Sequence, residues 1–114
     1  MSVGEHLRID VRREPDRVVL GLHGELDLLA APHLESELES CEGEGNGNLV
    51  LDLGGVRFID SAGLRVILAA HQRAGERGGR LALTPGSAQV QRLLSIAGVG
   101  DRLQTIASPD AVLV

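Results

Sequence analysis

The chain has 114 residues, 43% hydrophobic and 24% charged, enough for one domain with a core and typical of an ordinary globular protein. A net charge of -5 and a single aromatic residue, Phe58, exclude a nucleic-acid binder, which needs a basic surface and rings on which bases stack. No apolar run reaches the ~18–20 residues of a membrane span, the first residues do not read as a signal peptide, and one cysteine, Cys41, leaves no internal disulfide, so a reducing cytoplasm is expected.

Leu7, Ile9 and Val11 alternate with Arg8, Asp10 and Arg12, which predicts a half-buried strand. Glu14-Pro15-Asp16-Arg17 makes a turn, and Val18, Leu20 and Leu22 resume the alternation, so the two strands should pair as an antiparallel hairpin. Gly24-Glu25-Leu26-Asp27 ends the second strand. Pro32 suits the first turn of a helix, where its missing N–H costs nothing. Ala31, Leu34, Leu38 and Cys41 then share one face, and Glu35, Glu37 and Glu39 face water. The run from Glu42 to Asn48, with glycine at 43, 45 and 47, breaks that helix.

Leu49-Val50-Leu51-Asp52-Leu53 is apolar enough to be a central strand covered on both faces. Beyond it Leu64, Ile67, Leu68 and His71 recur at the spacing of one helix face. Asp60 and Ser61, both strong N-caps, mark where that helix starts, and Gly75, Gly78 and Gly79 mark its exit. Arg80 to Thr84 is a further strand, stopped by Pro85-Gly86. Ser87 can cap a third helix carrying Val90, Leu93, Leu94 and Ala97. Leu103 to Ile106 reads as a last short strand, and Ser108-Pro109-Asp110 has the pattern of a short terminal helix. Strands alternating with helices define an α/β single domain over residues 1–114. Its sheet is mixed and mostly parallel, of about five strands, with an N-terminal antiparallel hairpin and helices packed against it.

Ser61 is the residue on which a function can rest. A serine ahead of a helix is ordinarily only a cap. Here Asp60 can cap alone, which frees the Ser61 hydroxyl, and Ala62 and Gly63 are too small to shield it. A phosphate on that oxygen would gain from the helix dipole and free N–H groups. It would also add about -1.5 to -2 of charge to an otherwise apolar surface. In a parallel sheet the loop carrying Glu25 and Asp27 should lie beside the one carrying Asp60, which makes an acidic patch around the serine.

Rival chemistries have less behind them. A serine hydrolase would need a nearby base, and no G-x-S-x-G elbow is present. Of His6, His23, His33 and His71, the last lies nearly three turns down the same helix, roughly 15 Å away. The histidines are scattered and a lone cysteine builds no metal site. The glycines at 43–47 lie between helix and strand, the wrong order for a phosphate cradle, and Cys41 belongs to the helix's apolar stripe. No cofactor or metal is expected.

Leu51-Asp52-Leu53, Phe58-Ile59-Asp60-Ser61-Ala62-Gly63-Leu64 and Val66-Ile67-Leu68 resemble the signature of a STAS domain, specifically of the soluble bacterial anti-sigma factor antagonists, and Gly24-Glu25-Leu26-Asp27 resembles the family's second signature. The resemblance runs from about Leu7 to Ile106 in matching element order. It implies partner switching: the antagonist binds an anti-sigma factor that is also a serine kinase and so releases a sigma factor. The kinase uses ATP to phosphorylate the serine matching Ser61, which breaks the complex, and a serine phosphatase restores it. The partner-binding residues implied are Glu25, Asp27, Asp60, Ser61, Ala62, Gly63 and Leu64, with no catalytic residue, no direct contact with nucleic acid and none with membrane. A second reading is a soluble STAS subunit of a membrane transport or stress-sensing complex, acting by protein binding through the same face.

Overall fold

The computed structural model describes residues 2, 3 and 6–113. Its elements are β1 (Ser2–Val3), β2 (Leu7–Glu14), β3 (Arg17–Leu26), α1 (Ala31–Cys41), β4 (Leu49–Ile59), α2 (Ser61–Glu76), β5 (Leu81–Leu83), α3 (Ala88–Ile96) and β6 (Gln104–Thr105), with a 3-10 turn at Gly45–Gly47. The strands form one sheet in the order in which they occur along the chain. β1, β2 and β3 run antiparallel, and β3 to β6 run parallel. The expected hairpin turns at Pro15-Asp16, with Glu14 opposite Arg17.

Each parallel crossover steps the same way along the sheet. Right-handed connections therefore put all three helices on one face. The main core lies there: Leu20, Leu22, Leu51 and Leu53 from the sheet against Leu34 and Leu38 of α1, Ile67 and Ala70 of α2 and Val90 of α3. Burying such side chains contributes about 1.5–3 kcal/mol each relative to exposure. The alternate residues Val19, Val50 and Ala82 point to the opposite face, where Ile106, Ala111 and Leu113 cover them. The middle of β4 is thus covered on both sides, as its apolar run predicts, but one cover is the C-terminal segment.

That segment is not the terminal helix expected from Ser108-Pro109-Asp110. It is a turn closed by the Ala111 N–H on the Ser108 carbonyl. Arg17, buried at the start of β3, donates to the carbonyls of Pro109 at 3.0 Å and Ala111 at 2.7 Å. A carbonyl held by a buried guanidinium is not available to a helical ladder.

One further boundary and two helix faces differ from expectation. β4 runs on through Gly54-Gly55 to Ile59, because β3 continues beside it across two register shifts. α2 buries Gly63, Val66, Ile67, Ala70 and Ala74, while Leu64, Leu68 and His71 are only half-buried. The expected stripe followed the larger residues, whereas close approach to the sheet selects the small ones. In α3 only Val90 is fully buried; Leu93 and Leu94 are half-covered and Ala97 is exposed. β5 and β6 have three and two residues, too little sheet to cover a whole helix face.

Candidate functional site

The site is built where β4 hands over to α2. Ile59 is buried in the core and pairs with Leu26 of β3. Asp60 then takes an extended backbone and caps the helix: its Oδ1 accepts the N–H groups of Ala62 at 2.9 Å and Gly63 at 3.1 Å. Its Oδ2 accepts the N–H of Leu28 at 3.0 Å, and its own N–H donates to the Leu26 carbonyl. One aspartate therefore satisfies the first turn of α2 and fastens the β3–α1 loop against it.

Ser61 is the first residue of the helix and is exposed. Its hydroxyl makes no hydrogen bond among the described residues, because Asp60 does the capping. Gly63 lies directly under the loop: a Cβ there would sit 2.4 Å from the Leu26 carbonyl oxygen and 2.6 Å from its Cγ. Gly63 is buried, so it shapes the surface by bringing α2 close, and offers a partner no side-chain contact. Gly24 has φ +116° and passes so near His6 that a Cβ would lie 2.2 Å from its carbonyl oxygen, which lets the Glu25 N–H bond that oxygen.

The acidic residues come to this end of the sheet, though not as bare charge. Glu25 pairs with Arg57 at 3.0 Å. Asp27 accepts the N–H of Ala30 at 3.0 Å and lies 4.0 Å from His6. Asp60 holds three N–H groups. The expected acidic patch is thus largely committed to local structure, since carboxylates at turns and helix starts find nearby N–H groups before they find a partner.

Apolar surface surrounds the serine instead. On one side Ser61, Ile59 and Leu64 face Leu93, Leu94 and Ile96 of α3 across a groove of about 180 Å³. On the other, Ala62 and Val66 face Leu28, Ala31 and Pro32 across a groove of about 340 Å³. Ile96 is 75% exposed, Leu28 69%, Leu29 64% and Phe58 41%. Leu28 and Ile96 line these grooves, a placement that periodicity in the sequence does not mark. The available signal was that Leu28, Leu29 and Ile96 fall outside every periodic stripe. Arg65, one turn beyond Ser61, is exposed and has no ion pair among the described residues.

Hydrolytic geometry is not assembled. His71 lies ten residues along α2 from Ser61, His23 pairs with Asp10 on the sheet at 3.2 Å, and His6 faces Asp27. Among the described residues, no three His, Cys, Asp or Glu side chains converge as a metal-binding group. Burial in α1 pushes the Cys41 thiol up from its ordinary value, which disfavours the reactive thiolate. No helix among the described residues is long and apolar enough to cross a membrane.

Fold and site together define a small α/β domain that presents one exposed, unbonded serine hydroxyl between an apolar groove and a second groove that Glu35 and Arg65 also line. The chain belongs to the STAS domain family, whose pattern matches residues 8–111. It is 28% identical over 105 residues to an anti-sigma-B factor antagonist of Bacillus subtilis, covering 92% of this chain and 95% of that one. In structure it resembles an anti-sigma factor antagonist from Mycobacterium paratuberculosis, with a TM-score of 0.81, 22% identity and coverage of 96% and 93% of the two chains. It also resembles the phosphorylated form of the Bacillus cell fate determinant SpoIIAA, with a TM-score of 0.67, 20% identity and coverage of 87% and 91%.

Proposed function

We propose that this chain is an anti-sigma factor antagonist that binds an anti-sigma factor through the face around Ser61 and is released when Ser61 is phosphorylated. The observation that carries the reading is the exposed Ser61 hydroxyl at the first position of α2, left unbonded because Asp60 caps the helix. The names of the relatives support the partner class. In this reading the anti-sigma factor is also the kinase: the Ser61 Oγ displaces ADP from the γ-phosphoryl group of ATP, and the hydroxyl proton leaves to a base on the kinase. A phosphatase reverses the modification. The antagonist contributes no catalytic group; it is a binding protein and a kinase substrate, acting in the cytoplasm.

The physics of the switch follows from the site. A phosphate at a helix N-terminus is favoured by the dipole and the free N–H groups, so the fold tolerates it. Two grooves, with Leu28 exposed at one and Ile96 at the other, prepare the same surface to be dried by a partner. A dianion placed there would be stripped of water as the partner docks, which costs several kcal/mol. Binding is lost while folding is kept.

The test is incubation of the purified chain with its anti-sigma factor and ATP, with the phosphate mapped by mass spectrometry. Phosphate on Ser61 and dissociation of the pair bear the proposal out. Phosphate elsewhere, or a complex that survives complete modification of Ser61, overturns it.

A further inference from the structure

At the end of α2 remote from Ser61, a groove of about 590 Å³ opens between the helix and the starts of β5 and β6. Its polar lining is His71, Gln72, Arg80, Arg102 and Gln104, and no Asp or Glu contributes to it. In a chain with 16 acidic and 11 basic residues that selection is unusual. Most of the other arginines find carboxylates, among them Arg12 with Glu14 and Asp110, Arg13 with Glu44, and Arg77 with Glu42, while the exposed Arg65 and Arg92 have no ion pair among the described residues. Among the described residues the side chains of Arg80 and Arg102 have no ion pair and donate to no internal acceptor. His71 lines the same groove, with its Nδ1 buried and without a hydrogen-bond partner among the described residues.

We infer that this groove is a binding site for a phosphate-bearing ligand, held between the guanidinium groups of Arg80 and Arg102. Two planar forks need an anion with more than one pair of acceptor oxygens, and a phosphomonoester supplies three where a carboxylate supplies two. The volume admits a small organic phosphate rather than a bare ion only. The site shares no residue with the Ser61 face, and so stands whether or not Ser61 is a switch.

The test is titration of the isotopically labelled chain, at constant ionic strength, with inorganic phosphate, glycerol 3-phosphate, and vesicles of phosphatidylglycerol against phosphatidylcholine alone. Saturable amide shifts confined to the segments around Arg80 and Arg102, weakened about tenfold by Arg80→Gln or Arg102→Gln and unchanged by Arg92→Gln, support the site. Arg92 is exposed and lies outside the groove, so it controls for net charge. A response to the free phosphates identifies a soluble ligand; a response to phosphatidylglycerol vesicles alone identifies a lipid headgroup. Absence of saturable shifts with every probe, or equal weakening by Arg92→Gln, overturns the assignment.

Discussion

Asp60 holds Leu28: one oxygen of its carboxylate accepts the Leu28 N–H at 3.0 Å while the other caps α2. The loop that exposes Leu28 and Leu29 is therefore tied to the helix that exposes Ser61. Asp60→Ala should cost about 1–2 kcal/mol, the loss of a cap plus an unpaired loop N–H, and lower Tm by several degrees. Asp60→Asn, which keeps one acceptor oxygen, should cost less. Urea denaturation of the three proteins checks the ranking.

Ser61→Ala should leave stability within about 0.5 kcal/mol of wild type, because the hydroxyl makes no bond to lose. It should bind the anti-sigma factor and resist phosphorylation. Ser61→Asp should weaken binding at least tenfold with Tm shifted by only a few degrees. Calorimetric titration beside a thermal melt separates the two effects; wild-type affinity in Ser61→Asp would remove charge as the switch.

Two glycines of α2 should respond in opposite directions to alanine. At Gly63 the new methyl meets the Leu26 backbone, so Gly63→Ala should destabilise by about 1–3 kcal/mol. At Gly75 nothing lies within 4 Å, and Gly75→Ala should stabilise by up to about 1 kcal/mol through helix propensity alone. Equal effects at the two sites would contradict the packing described.

Ile96→Ser and Leu28→Ser remove apolar side chains that bury little within the monomer. Each should change Tm by no more than a degree or two, while affinity for the anti-sigma factor falls by about tenfold or more, as for residues at the centre of an interface. Surface plasmon resonance against the immobilised partner reads this directly.

Glu42 receives Arg73 of α2 and Arg77 just past its end, and so joins the C-terminal ends of α1 and α2. Its burial raises the carboxyl pKa, but the hydrogen bonds from the two guanidiniums outweigh that and hold it below the ordinary carboxylate value. A depressed folded-state pKa means the stabilisation is fully present above the unfolded value, near pH 4.5, and is lost as pH falls through the lower folded value. Glu42→Gln should lower Tm at neutral pH by a few degrees and show a shallower decline on the acid side. Melts from pH 3 to 7 check both.

Much of the fold was legible because its signals are local. Alternation at Leu7–Val11 and Val18–Leu22 reports a strand face, and an aspartate before a small-residue helix start reports a cap, without any knowledge of what lies opposite. The terminal helix failed as an expectation because the carbonyls of residues 109 and 111 are held by Arg17, 94 positions away from the latter. Neither local composition nor spacing carries that information.

The candidate site divides in the same way. The residue pattern alone determined that a serine sits at the mouth of α2 with an aspartate able to cap in its place. Only the tertiary structure decided what surrounds it: that Glu25, Asp27 and Asp60 are spent on Arg57 and on backbone N–H groups, and that Leu28, Leu29 and Ile96 stay in water. Periodicity says which way a side chain faces, but whether anything covers it depends on how much sheet distant segments supply. With β5 and β6 as short as they are, part of α3 stays bare beside Ser61.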